Sequence, residues 1–168
     1  MSLTTQDVWY AIGDSIFGVL GFANQSCEPQ TAGVCFVTDS RALLMTSGAD
    51  SWKVRHIACN PNVSMTITEP KRIPFLPFIK IPAAAITFKG DAEILAVTDV
   101  DNSAVARLFR GLELDRKVVE DTRIIRLVPR GDFVTYGIGM PTMRMRKPAA
   151  ATGGAPCKTE QPQPLVTS

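Results

Sequence analysis

The sequence has 168 residues, of which 45% are hydrophobic and 20% are charged, a balance typical of one globular domain that can bury a full core. Its net charge of +2 and the lack of a long basic run argue against nucleic acid as a partner. No apolar run has the length of a transmembrane helix, and the first residues lack the charged region of a signal peptide. We therefore expect no membrane partner and a cytoplasmic location.

The side chains that most often bind metals are spread along the chain: Cys27, Cys35, His56, Cys59 and Cys157. No two of the cysteines form a CxxC pair, so the sequence predicts neither a metal site nor a disulfide framework. Such cysteines fit a reducing compartment.

The N-terminal part of the chain predicts short, mostly extended elements. Thr4 or Thr5 can cap a first helix that includes Ile12. Residues 15–25 are rich in β-forming side chains. Two apolar runs within residues 31–48 are separated only by a short polar turn, which predicts a β-hairpin.

A second helix is predicted over residues 51–59. Val54 and Ile57 share one of its faces, and Pro61 ends it because the residue before a proline avoids the helical region. Residues 62–69 then have the composition of a strand.

The segment that follows is unusual, because residues 70–82 contain four prolines. This density excludes an internal strand or a regular helix, and it predicts an ordered apolar loop. Beyond the loop we expect a strand over residues 86–97, a helix over 101–114 and a last pair of strands over 122–139, with their turn at 130–132.

The end of the chain differs in composition. Residues 148–168 are small, polar and proline-rich, which predicts a disordered tail after a folded domain of residues 1–147. Within that domain strands mostly follow strands directly. This order predicts a mainly β fold with minor α content, an antiparallel barrel whose ends are capped by short helices.

One cluster of side chains has two interpretations. Thr46, Ser47, Ser51 and Lys53 lie where the hairpin ends and the second helix begins. Free backbone N–H groups at a helix start, together with hydroxyls and a lysine, can bind a phosphate. Alternatively Ser47, Asp50 or Ser51 simply caps the helix, and Lys53 and Arg55 point into water. Spacing alone leaves both interpretations open.

The order of these motifs resembles a known family. The stretches "LLMTSGADSWKVRHIACNPNVSMTI" (43–67) and "ITFKGDAEIL" (86–95) resemble the flavin-binding split-barrel family that is named after pyridoxamine 5′-phosphate oxidase, and "RGDFVTYGIGM" (130–140) resembles the last strand of uncharacterised relatives. The resemblance implies a six-stranded antiparallel split barrel that forms a homodimer and binds FMN at the subunit interface.

The resemblance also implies roles for individual residues. Thr46, Ser47, Ser51 and Lys53 match the positions that hold the FMN phosphate in the family. Trp52 stands where the family usually has an arginine, and it lies within the same cofactor-binding segment.

The flavin ring is expected along Val34, Cys35 and Phe36, where backbone groups meet its polar edge. The implied function is an FMN-dependent oxidoreductase that transfers hydride to or from a small substrate, which the sequence does not identify. A flavin-binding stress or sensor protein without catalysis, and a barrel that binds F420 or haem, remain open alternatives. No catalytic residue is predicted.

A second argument for a dimer comes from the hairpin. Phe36 and Val37 are adjacent and must face opposite ways, as must Leu43 and Leu44. One member of each pair can fill a barrel, whereas the other needs a second cover. We expect a two-fold partner to provide that cover.

Overall fold

The computed structural model describes residues 3–69, 83–112, 114–138 and 151–157. Four α-helices lie in these ranges: α1 Thr5–Gly13, α2 Trp52–Cys59, α3 Asn102–Leu108 and α4 Arg116–Asp121. The strands are β1 Phe17–Ala23, β2 Pro29–Cys35, β3 Val37–Asp39, β4 Ala42–Gly48, β5 Asn62–Glu69, β6 Ala84–Ala96, β7 Thr122–Tyr136 and β8 Thr152–Pro156. The predicted proline-rich loop at 70–82 lies outside the described residues.

All the strand pairs of the described chain are antiparallel and belong to one sheet. The order is β2-β1-β5-β6-β7-β4-β3, and β8 pairs with β7. The two ends of this order, β2 and β3, are consecutive in the chain and are separated only by Phe36. The sheet therefore closes on itself through one continuous stretch of chain, which confirms the predicted antiparallel barrel. If β2 and β3 are counted as one bent strand and β8 is set aside, the barrel has the six strands that the resemblance implies.

Alternating side chains of the strands fill the barrel. Leu20 of β1, Leu43 and Met45 of β4, Met65 of β5 and Ile125 of β7 are fully buried in one cluster. Both Val8 and Ile12 of α1 belong to the same cluster, so this helix covers one end of the barrel. The helix starts at the predicted residue, because the Thr4 hydroxyl accepts from the Asp7 amide and the Asp7 carboxylate accepts from the Thr4 amide, a complete capping box.

A second apolar cluster lies on the other side of β4. Leu44 of this strand packs there with Ala104 of α3 and with Ile124 of β7. The outward face of the hairpin is therefore covered by the chain's own helix and not by a partner subunit. The hairpin argument for a dimer was wrong on this point, because the cover comes from a helix some sixty residues later (102–108 against 44). The dimer itself stays a prediction.

Two sequence predictions near the C-terminus were wrong. Residues 122–136 form one long strand and not a pair around 130–132, because Gly131, with φ of +75°, bends the strand without reversing it. The predicted disordered tail contains β8, whose residues Thr152–Pro156 pair with Asp132–Tyr136 of β7. Residues 158–168 lie outside the described ranges.

The contact between β6 and β7 predicts the effect of one substitution. A Cβ atom added at Gly90 would lie 2.6 Å from the Val128 carbonyl oxygen, and a strand backbone cannot move away cheaply. We expect Gly90→Ala to lower the free energy of unfolding by about 2 kcal/mol, as overpacking does, in urea denaturation. The control is Gly13→Ala, where nothing lies within 4 Å of the added carbon. Equal stabilities of the two variants would contradict the register of β6 on β7.

The position of Cys157 after β8 gives a second prediction. This side chain is 3% exposed, and burial, with a smaller effect of Asp132, raises the pKa of its thiol to about 11. The other cysteines are exposed. A thiol reagent at pH 8 should therefore modify three thiols of the native protein quickly and the fourth only after unfolding. Rapid reaction of all four would mean that β8 does not stay on β7 in solution.

Candidate functional site

The predicted phosphate-binding residues lie at the junction of β4 and α2. Ser51 is the N-cap of α2, and its hydroxyl oxygen accepts from the Val54 amide at 3.3 Å. The Ser47 and Ser51 hydroxyl oxygens are 2.8 Å apart and share a hydrogen bond. Ser47 is buried, so the pair is held at a fixed place beneath the start of the helix. The capping interpretation of Ser51 is thereby confirmed.

The remaining residues of this cluster differ in exposure. Thr46 is exposed, and because it precedes Ser47 in the strand its side chain points to the opposite face. Lys53 is half-buried, and no hydrogen bond or ion pair to it is found among the residues described. A cation in the first turn of a helix is opposed by the helix dipole. Lys53 therefore raises the positive potential of a place that is already positive.

Trp52 does not point at the two serines. Its ring packs on Phe22 of β1, with centroids 5.3 Å apart, and on His56 one turn later, at 6.1 Å. Phe22 is buried, whereas Trp52 is 42% exposed. Trp52 is therefore a packing anchor whose side chain stays partly accessible to solvent.

The predicted ring-binding residues lie at the bend between β2 and β3. Val34 and Phe36 are buried in the barrel core, whereas Cys35 is exposed. A ligand on the outer side can therefore meet only the Cys35 side chain and backbone groups of its neighbours. The Phe36 amide is already used, because it donates to the Ile16 carbonyl at 3.1 Å.

Within the described part of the chain, the bend also leaves strand edges without partners. β3 pairs with β4 only over Ala42–Leu44, although β4 continues to Gly48. β2 has its one described partner in β1 and lies close to β4. Two strand edges thus approach each other across an opening in the barrel, which we call the split. Their backbone N–H and C=O groups can bind a polar ligand, and α2 begins at one end of this opening.

Sequence reasoning missed one cation next to the site. Arg123 of β7 lies directly opposite Ser47 of β4, so both side chains are on the same face of the sheet. Its Nη1 atom donates to the backbone oxygens of Glu120 and Thr122 at 2.9 and 3.0 Å. No carboxylate forms an ion pair with Arg123 in the described chain. No sequence signal could have found it, because only the strand register brings it to Ser47.

Two kinds of feature are absent from the described residues. No group of three or more His, Cys, Asp or Glu side chains in these ranges could hold a metal ion. None of the helices within them is long and apolar enough to cross a membrane.

Comparison with known proteins shows the fold. No family model and no curated protein matches the sequence. Among solved structures, an F420 reductase is 22% identical with a TM-score of 0.51, over 72% of this chain and 90% of that one. A pyridoxamine 5′-phosphate oxidase-like protein from Listeria innocua is 19% identical with a TM-score of 0.55, over 74% and 92%. A haem storage protein from Vibrio cholerae is 14% identical with a TM-score of 0.58, over 83% and 98%. The chain has the split-barrel fold that these proteins share.

Proposed function

We propose that the protein binds FMN in the split between β2 and β4 and acts as an FMN-dependent oxidoreductase. The observation that carries the proposal is the junction of β4 and α2, where a fixed pair of serine hydroxyls lies beside a half-buried lysine with no carboxylate partner among the residues described. This combination fits a phosphate group: Ser51 also caps α2, whereas Lys53 has no hydrogen bond or ion pair among the residues described.

The charges of the site support the binding of an anionic group. Lys53 lies in the first turn of α2, and Arg123 lies opposite Ser47 across the sheet. The helix start adds free backbone N–H groups, which bind anions well. Arg123 supplies a second cation where Trp52 stands in place of the family's arginine. Asp50 is exposed just before the cap and can point away into water.

The polar strand edges at the split support the proposal that the flavin ring binds there. The flat ring of a flavin carries hydrogen-bond donors and acceptors along one edge, and the unpaired edges of β2 and β4 offer backbone partners for it. Cys35 is the exposed side chain at the bend. It would contact the ring face beside those backbone groups.

The chemistry of hydride transfer belongs to the cofactor when it is bound. The residues of this chain would hold the phosphate through Ser47, Ser51 and Lys53 and fix the ring by backbone hydrogen bonds. None of these roles needs a nucleophile or a general acid from the protein.

The spectrum of the purified protein distinguishes the proposal from its alternatives. FMN, F420 and haem have different absorption bands. The resemblance to the family leaves all three open as ligands of a split barrel. His56 packs on Phe22 and Trp52 at 6.2 and 6.1 Å, an arrangement that does not favour haem ligation. Turnover of NADH or NADPH with bound FMN would separate an enzyme from a flavin-binding protein without catalysis.

We expect Ser51→Asp to abolish FMN binding without unfolding the protein. Aspartate caps a helix as well as serine does, but its carboxylate would stand where the phosphate should bind. Ser51→Ala should instead lower the free energy of unfolding by about 1 kcal/mol, the usual cost of a lost cap. Fluorescence titration with FMN and urea denaturation measure the two effects. If Ser51→Asp binds FMN with the affinity of the wild type, the FMN phosphate does not bind at this junction.

The lysine of the same site gives a graded prediction. Lys53→Ala should weaken FMN binding by about 1.5–3 kcal/mol, the size of a charge-assisted hydrogen bond. The matched control is Lys89→Ala, which removes an exposed lysine on the outer face of β6. If both variants bind FMN as the wild type does, Lys53 is only a solvated side chain.

We also propose a homodimer with two flavins at its interface. The hairpin no longer supports a dimer, but exposed apolar side chains in β1 and just before it do. Ile16, Phe17 and Val19 are 63%, 49% and 37% exposed, and Phe17 lies opposite Cys35 in the sheet. An apolar row next to the proposed ring position is the kind of surface that a two-fold partner covers.

Light scattering tests the dimer. We expect twice the chain mass of 18.2 kDa for the wild type at micromolar concentration, and one chain mass for the double variant Phe17→Glu/Val19→Glu. The control Leu112→Glu changes a side chain that is 72% exposed and lies after α3, and it should leave the mass unchanged. A wild-type monomer that still binds FMN would exclude the interfacial site.

A further inference from the structure

A second cavity opens on the outer face of the sheet, over β5, β6 and β7. Its volume is about 390 Å³, within the range of small-molecule sites. Polar side chains surround an exposed valine, and the lining consists of Ser64, Thr87, Phe88, Lys89, Arg130, Gly131, Asp132 and Val134. None of these residues belongs to the split.

The cavity arises from an irregularity in strand pairing. Lys89 pairs with Arg130, whereas Thr87, two residues earlier in β6, pairs with Val134. One residue of β6 therefore stands against three of β7, and β7 bulges at Gly131, where φ is +75°. Bulges redirect side chains and are frequent beside binding sites. Here the bulge opens the face of an otherwise regular sheet.

The cations at the bulge differ in whether they have an ion-pair partner. Lys89 and Arg130 are direct cross-strand neighbours, and like charges in such positions are destabilising. Arg130 is compensated, because its Nη1 atom is 2.9 Å from the Asp91 carboxylate and its Nη2 atom donates to Asn62 at 3.1 Å. Lys89 has no ion pair or hydrogen bond among the described residues. Lys89 is therefore a cation without an ion-pair partner in the described chain, and Asp132 is the carboxylate that shares the lining with it.

Hydroxyl groups flank this lysine. Ser64 of β5 lies directly opposite Lys89 on its other side, and Thr87 lies two residues along β6 on the same face. The Thr87 hydroxyl is already held by Thr66 at 3.2 Å. Val134, which is 57% exposed, forms an apolar wall next to them. A cation, two hydroxyls and an apolar wall describe a site for an amphipathic anion.

We infer that this cavity binds a small organic monocarboxylate. Its carboxylate would meet the Lys89 ammonium group and accept from the Ser64 hydroxyl, and its apolar part would lie on Val134. A single cation without an ion-pair partner matches one negative charge. A phosphate dianion fits less well, because the Asp132 carboxylate in the lining repels a double negative charge more strongly than a single one. The inference does not depend on the proposed cofactor.

Nuclear magnetic resonance with benzoate as the probe tests the inference on the full chain. Benzoate should shift the backbone amide signals of Ser64, Thr87, Lys89 and Gly131 with saturation, and chloride at equal ionic strength should not. Lys89→Gln should weaken benzoate binding about tenfold, the loss expected for a charge-assisted hydrogen bond, and Lys89→Arg should largely restore it. The control Lys117→Gln, an exposed lysine on α4, should bind as the wild type does.

Three results would overturn the inference. One is a lack of saturable shifts at these four amides in the wild type. Another is an unchanged affinity in Lys89→Gln, which would mean that the anion does not meet this lysine. The third is tighter binding of inorganic phosphate than of benzoate at the same amides, which would contradict the charge argument. The map of wild-type shifts does not require any variant to fold.

Discussion

The whole architecture depends on one change of hydrogen-bond partner at Phe36. Before this residue the chain pairs with β1, and after it the chain pairs with β4. Phe36 itself is buried at 3% exposure, and its amide donates to Ile16. The buried ring anchors the bend, the bend closes the barrel, and closure at a bend leaves neighbouring strand edges unpaired within the described ranges. An exposed edge is a liability in most proteins, and in this one it lies at the opening where we propose that the ligand binds.

Local chemistry was sufficient to predict the elements near this bend. The serine N-cap and Pro61 gave the two ends of α2 within a residue, and apolar runs of β-forming composition gave β1, β4 and β5. Interactions between distant parts of the chain were not predictable in the same way. Leu44 was expected to need a partner subunit, because nothing in its surroundings in sequence indicates that Ala104 will cover it.

The same limit explains the errors after residue 120. Gly131 was interpreted as a turn because its neighbours are polar, but a positive φ serves a bulge as well as a turn. Residues 152–156 look like a tail because they are small and polar. They form β8 because β7 offers them a strand edge with which they pair. The Cys157 amide then donates to the Gly131 carbonyl and fixes the end of the strand. Arg123 was missed at the candidate site for the same reason, since only the register of β4 on β7 brings it to Ser47.

Capping and phosphate binding at Ser51 do not exclude each other, although the sequence presents them as alternatives. A serine hydroxyl has one proton to donate and two lone pairs to accept. Capping uses a lone pair, because Ser51 accepts from the Val54 amide. If Ser47 donates in the bond between the two hydroxyls, the second lone pair is used as well and the Ser51 proton is left for an anion. The cap then holds the donor in place, and Lys53 lies in the first turn of the same helix. A residue that stabilises the helix can therefore also bind an anion. The cap uses a lone pair of the hydroxyl oxygen, whereas the anion uses the hydroxyl proton.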